Sequence, residues 1–178
     1  MNAEELLERY AAGERDFRGI VLTDADLYRV TLRDIRLTGA DLSGADLVGA
    51  NLISAELRGV NLKGANLASA NLHMACLAGA NLTEAGLWQA NLSGVNLCKA
   101  QLDGADLSAA DLVGADLREA NLKQANLSSA NLIAANLAGA DLTAADLTFS
   151  NLWKADLRMT ILKDAKLPDG SQASCLDA

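Results

Sequence analysis

Residues 40–70 read ADLSGADLVGANLISAELRGVNLKGANLASA, with leucine at every fifth position. The beat runs from Leu22 to Leu167, thirty positions without an insertion, and Phe17 holds the same place one step earlier. Two residues before each leucine stands Ala in twenty-three of the thirty units; the exceptions are Ile20, Val30, Ile35, Val60, Val95, Ser150 and Thr160. Immediately before the leucine are twelve Asn and nine Asp, so the unit reads A-(D/N)-L-x-x.

A period of five suits neither regular element. On an α-helix five residues advance roughly 500°, so the leucines would spiral over every side. On a flat strand an odd interval sends successive leucines to opposite faces. All of them are buried only if the chain turns once per unit and returns each leucine to one shared axis. Ala and Leu, two apart on a short extended segment, then point inward, and the Asn or Asp between them points outward. The repeat predicts a solenoid.

Tandem units such as ADLSG, ADLVG and ANLIS resemble the pentapeptide repeat family, including its small cyanobacterial members, over residues 16–167. The resemblance implies an all-β solenoid, a right-handed quadrilateral β-helix with four units per coil and about 7.5 coils for thirty units. It places Leu as the central inward residue and Ala as the small inward residue that lets the corners close.

Grouping the leucines by twenties gives four faces, beginning at Leu22, Leu27, Leu32 and Leu37. Nine charged residues directly follow a central Phe or Leu. Eight of them lie on the adjoining first and fourth faces: Lys63, Asp103, Lys123, Lys163, Arg18, Arg58, Arg118 and Arg158, with only Arg33 elsewhere. The pre-leucine residues change by whole coil, from Asp106, Asp111 and Asp116 through Asn121 to Asn136 and back to Asp141. Coils stack at strand spacing, ~4.8 Å, so this alternation keeps like charges from facing each other directly. Asp26 over Asp46 is the exception.

The ends differ. Asn2 followed by Glu5 reads as a helix start, Leu6, Leu7 and Tyr10 make an apolar stripe, and Gly13 is a stop. Residues 1–13 are therefore expected to form a capping α-helix (over 3–12), residues 14–167 the β-helix, and residues 168–178 a polar tail too short for a helical lid. The N-terminus lacks the basic and apolar regions of a signal peptide, and no apolar run approaches the ~20 residues of a membrane span. A cytoplasmic location is expected.

Composition removes several functions. The net charge is −8 and the pI about 4.5, which disfavours direct nucleic-acid binding. The single histidine, His73, has Ile53 and Ser93 above and below it, and Cys76 and Cys98 are placed too far apart for a disulfide. The aspartates occupy a turn position interchangeable with Asn, and an uninterrupted prism has no cleft. The sequence predicts no enzyme, no catalytic residue, no cofactor and no metal.

Function is therefore expected on the surface, as a rigid scaffold or interaction module for a protein partner. Candidate contacts are Phe149, Trp153 and Met159 near the C-terminal end, Trp88 on the second face, and Ile53, Val113 and Ile133 on the third. The open C-terminal coil also predicts a homodimer through that end, as in the gyrase-protecting members the family resemblance brings in; the competing outcome is a monomer whose tail folds back with Leu176 over Leu162 and Leu167. Those members supply the alternative, a DNA mimic acting on a type II topoisomerase (gyrase), for which Asp26, Asp46, Asp106 and Asp146 form the best acidic row. Lys and Arg on faces one and four, the nearly all-Leu core and the unbroken register count against it. Glu56 with Arg58, Asp116 with Arg118, and Asp156 with Arg158 are expected to neutralise one another.

Overall fold

The computed structural model describes residues 1–173. After helix α1 (Ala3–Ala11) the chain winds as a right-handed quadrilateral β-helix. Twenty-seven parallel bridges join residues of successive coils, each spanning twenty positions, from Asp16 with Arg36 to Asp146 with Lys166. A wall of the prism is only a few residues long, so each wall contributes one bridging residue, the one before the leucine.

In most units all five amide donors are placed. In the unit at Leu42, the Leu42 amide donates to Asn61 in the next coil (2.8 Å) and the Gly44 amide to Lys63 (3.0 Å). The Ala45 amide closes the turn onto Leu42, and the Asp46 amide reaches back to Ala25 in the previous coil. The fifth amide, at Ser43, donates to the Asp41 side chain at 3.0 Å. All twelve Asn and nine Asp that precede a leucine accept this bond from the residue two positions on. The repeat keeps Asn and Asp there because a short side chain with an oxygen at that reach satisfies an amide the backbone ladder leaves over.

Each turn passes through a left-handed residue two positions after the leucine. Counting from the corner after Phe17 to that after Leu162, eleven of thirty positions are Gly; the other nineteen, from Asp24 to Asp164, hold φ between 53° and 60°. A non-glycine residue there costs about 1 kcal/mol, so the inward ladder must offset that cost at most corners. At Gly64 a Cβ would meet nothing within 4 Å, so backbone conformation alone favours glycine.

The ladder is dry. From Leu22 to Leu147 every central leucine is buried, none more than 3% exposed, and Phe17 closes the series at 2%. The alanines fill the corners: Ala45, Ala65, Ala85 and Ala105 are all fully buried. Each leucine contributes ~1.5–3 kcal/mol, and truncation to Ala in such a core costs ~2–5 kcal/mol. The last coil is different, because Leu152, Leu157, Leu162 and Leu167 are only half-buried.

Helix α1 covers the first coil. The Asn2 side chain accepts from the Glu5 amide at 2.8 Å, and the helix ends with Gly13 at φ +99°, its amide on Tyr10 and that of Glu14 on Arg9. Leu6 is completely buried, and the Tyr10 hydroxyl donates to the Arg33 carbonyl at 3.0 Å, one of the first-coil acceptors without a preceding coil. Arg15 lies 3.8 Å from the Tyr10 ring centre and Arg9 is held by Glu14, so the cap is tied to the rod by polar contacts as well.

Stacked outer side chains also bond from coil to coil. Asn61 donates to Asp41 at 2.9 Å and Asn81 to Asn61 at 3.0 Å, each amide reaching one coil toward the N-terminus. Asp26 with Asp46 is the single acid-on-acid pair among the twenty-seven bridges. Asp146 is the most strongly held carboxylate. Bonds from the Thr148 hydroxyl (2.7 Å), Lys166 (2.9 Å) and the Thr148 amide lower its pKa to about 2.

Leu92→Asp places an unpaired charge in the dry ladder, whereas Ser93→Asp alters a half-buried surface residue. Thermal melts should show the first variant losing more than ~4 kcal/mol or failing to fold, and the second within ~1 kcal/mol of wild type. Equal melting temperatures would contradict the inward register. For Asp146, the folded pKa lies below the unfolded one, so its contribution is present above about pH 4 and disappears as pH falls toward 2. A carbon-13 carboxyl titration should place the Asp146 midpoint near 2, and Lys166→Met should move it upward; an unmoved midpoint would remove Lys166 from the cause.

Candidate interaction surfaces

The four acids of the second face serve the turns first. Asp26 accepts from the Tyr28 amide (3.1 Å) and Asp46 from the Val48 amide (3.0 Å). Asp106 takes the Ser108 amide and hydroxyl and the Asn126 amide group, and Asp146 is paired with Lys166. On the fourth face Arg18, Arg118 and Arg158 each fold back onto the aspartate two residues before, at 2.6 Å in all three. The expected Glu56–Arg58 pair is not formed among the described residues. Glutamate carries its carboxylate one methylene beyond the amide that aspartate reaches at the same place.

The apolar candidates separate into two kinds. Ile53, Val113 and Ile133 are half-buried, while Trp88 is 47% exposed. Phe149 and Met159 stand out at 82% and 89% exposure, on left-handed corners that direct them away from the rod, and Trp153 follows at 61%. Ile161 joins them at 49%; an apolar residue in the place of Asn or Asp was the signal for it. Val21, Tyr28 and Met74 are further exposed apolar residues outside the sequence-based set.

The C-terminal tail turns back on the rod. Pro168, Asp169 and Gly170 form a turn closed by the Gly170 amide on Leu167 and the Ser171 amide on the Asp169 side chain. The chain then runs antiparallel to the last wall, with Leu167 donating to Ser171 (2.7 Å) and Ala173 to Ala165 (2.8 Å). A Pro-Asp-Gly run after a leucine carries that turn signal in the sequence. Only this wall is covered by the described tail: the Leu152, Leu157 and Leu162 amides have no carbonyl partner among the described residues. The proposed packing of Leu176 on Leu162 and Leu167 lies outside the described residues. The hydroxyl of Ser150, a serine in an alanine corner, is buried there without a partner among the described residues.

Elsewhere the chemistry is sparse. His73 Nδ1 lies 2.8 Å from the Ser93 hydroxyl, and Cys76 and Cys98 are half-buried free thiols. Among the described residues no group of three His, Cys, Asp or Glu could hold a metal ion, and no helix is long and apolar enough to cross a membrane.

Comparison with known proteins identifies the repeat. The family model for pentapeptide repeats matches in eight copies, over residues 14–44, 45–83, 87–124 and 125–164. HetL, a pentapeptide repeat protein involved in heterocyst differentiation regulation from the cyanobacterium Nostoc sp. strain PCC 7120, is 31% identical over 97% of this chain and 100% of its own, with a TM-score of 0.31. Rfr23 from the cyanobacterium Cyanothece 51142 is 23% identical over 97% and 100%, TM-score 0.33. QnrB1, a plasmid-mediated fluoroquinolone resistance protein, is 20% identical over 83% and 85%, TM-score 0.46. No curated protein matches. The family model spans most of the chain, and the chain belongs to the pentapeptide repeat family.

Proposed function

We propose that this chain is a non-catalytic, cytoplasmic docking module that engages protein partners, and that its first partner is a second copy joined at the C-terminal end. One observation carries the reading. Phe149, Trp153, Met159 and Ile161 surround an end whose leucines 152, 157 and 162 are half-exposed and whose amides lack partners among the described residues. Exposed apolar groups and unpaired edge amides at one place favour association. An isologous contact would cover both copies' edges at once. The two half-buried thiols left free suit a reducing compartment.

Action on gyrase as a DNA mimic has less support. Asp26 to Asp146 spans six coils, about 29 Å, along which duplex DNA carries roughly seventeen charges. This row offers four, and Lys166 neutralises the last. QnrB1 brings its fluoroquinolone resistance to this chain only as a reading to be tested.

Light scattering at micromolar concentration should give twice the chain mass for wild type and a monomer for Phe149→Asp with Trp153→Asp. A monomeric wild type would remove the dimer, and a dimeric variant would move the interface elsewhere. In a supercoiling assay the protein should neither inhibit gyrase nor protect it from a quinolone; either effect would favour the mimic.

A further inference from the structure

On the fourth face the residues that follow the leucine run Arg118, Ala138, Arg158 in three successive coils, with Glu119, Gly139 and Met159 beside them. These six residues line a groove of about 660 Å³. Its walls are the two arginines and Met159, and its floor is Ala138 and Gly139, where an added Cβ would already lie 3.6 Å from the Glu119 chain. Thr38 is also bracketed by two arginines on this face, Arg18 and Arg58, but only Arg18 of that pair is held by an aspartate among the described residues, and threonine fills more of the gap than alanine.

The arginines are fixed. Arg118 gives Nε and Nη2 to Asp116 at 2.8 and 2.6 Å, and Arg158 does the same to Asp156 at 2.9 and 2.6 Å. Each guanidinium folds back along its own coil and so stays at that coil's height. Two coils separate them, about 9.6 Å, and a group seated over Ala138 lies about 4.8 Å from each. That is within the ~6 Å over which a cation attracts the face of an aromatic ring.

Charge chooses the occupant. Both arginines are matched by aspartates, and Glu119 is matched by Lys99 at 3.4 Å, so the groove has no net positive charge to hold a phosphate. What remains free are guanidinium faces, the exposed Met159 side chain and the second Glu119 oxygen, Oε1, at the rim. Guanidinium faces and thioether sulfur both favour aromatic rings. The carboxylate accepts from a ring-borne N–H or O–H. The chain itself makes this contact repeatedly: Arg15 with Tyr10 (3.8 Å), Arg29 with Tyr28 (5.0 Å) and Lys154 with Trp153 (4.1 Å).

We propose that the notch between Arg118 and Arg158 is a docking site for a tryptophan or tyrosine side chain of a partner polypeptide. The ring takes the place in the stacked column that Ala138 leaves vacant, sandwiched between the two cations. The site lies on a side wall and shares Met159 with the end-on contact between copies; Phe149→Asp with Trp153→Asp, which leaves every notch residue in place, tells the failure of one from the failure of the other.

The test follows the arginine Nε–H signals of the full chain by NMR during titration with N-acetyl-tryptophanamide and N-acetyl-tyrosinamide. N-acetyl-leucinamide and inorganic phosphate serve as controls. Saturable upfield shifts at Arg118 and Arg158, absent at Arg58 and absent with leucinamide, are expected. Arg158→Lys, which keeps the charge and loses the plane, should bind about threefold more weakly. Ala138→Trp should fill the notch from within and abolish the response. Shifts at Arg118 and Arg158 no larger than at Arg58, or equal effects of leucinamide, would overturn the proposal. So would an equal response to phosphate, which would mark an anion site. Shifts that grow with protein concentration alone and vanish in Trp153→Ala would assign the notch to a second copy and overturn a separate partner.

Discussion

Everything in this protein depends on the chain turning once every five residues. The leucine interval demands it, because no helix or strand brings side chains five apart to one line. The turn is closed by a left-handed residue at each of thirty corners, nineteen of them without the freedom of glycine. The ladder that results is dry over twenty-six leucines and one phenylalanine, and that burial holds the strained corners in place. Backbone donors follow the same logic: three of five amides bond between coils, one closes the turn, and Asn or Asp takes the last.

A rod built this way has uniform walls and two distinct ends. The walls repeat, so any departure from the repeat becomes a feature: a serine in an alanine corner, an isoleucine where Asn or Asp belongs, an alanine between two arginines. The ends break the stacking. At the first, α1 supplies an apolar plug and the Tyr10 hydroxyl meets a spare carbonyl. At the last, the tail pairs with one wall, while the leucines of the other three stay half-exposed.

Much of this was legible in the sequence. The period identified the solenoid, the family resemblance supplied the twenty-residue coil and with it which residues stack, and the outward direction of Phe149, Trp153 and Met159 followed from their place in the unit. Tail geometry was less accessible, because residues after Leu167 leave the repeat and only the Pro-Asp-Gly turn marks the reversal. The half-burial of Ile53, Val113 and Ile133 depends on how far a branched side chain leans over the next coil, which register does not specify. The failure of Glu56 to pair with Arg58 turns on one methylene. The notch at Ala138 was implicit in the column Arg118, Ala138, Arg158, but its depth needed the arginines' positions, set by Asp116 and Asp156.

The central claim is that a five-residue beat, not conventional strands, carries the stability of the rod. Native-state hydrogen exchange followed residue by residue reads it directly. The account predicts that Leu82, Leu92, Leu97 and Leu102 amides exchange only through global unfolding. The amides of Trp88 and Asp103, which follow a leucine without a preceding Asn or Asp, should exchange far faster than those of Ser93 and Ser108, which have one. Protection without a five-residue period, or leucine amides as labile as that of Trp88, would contradict it.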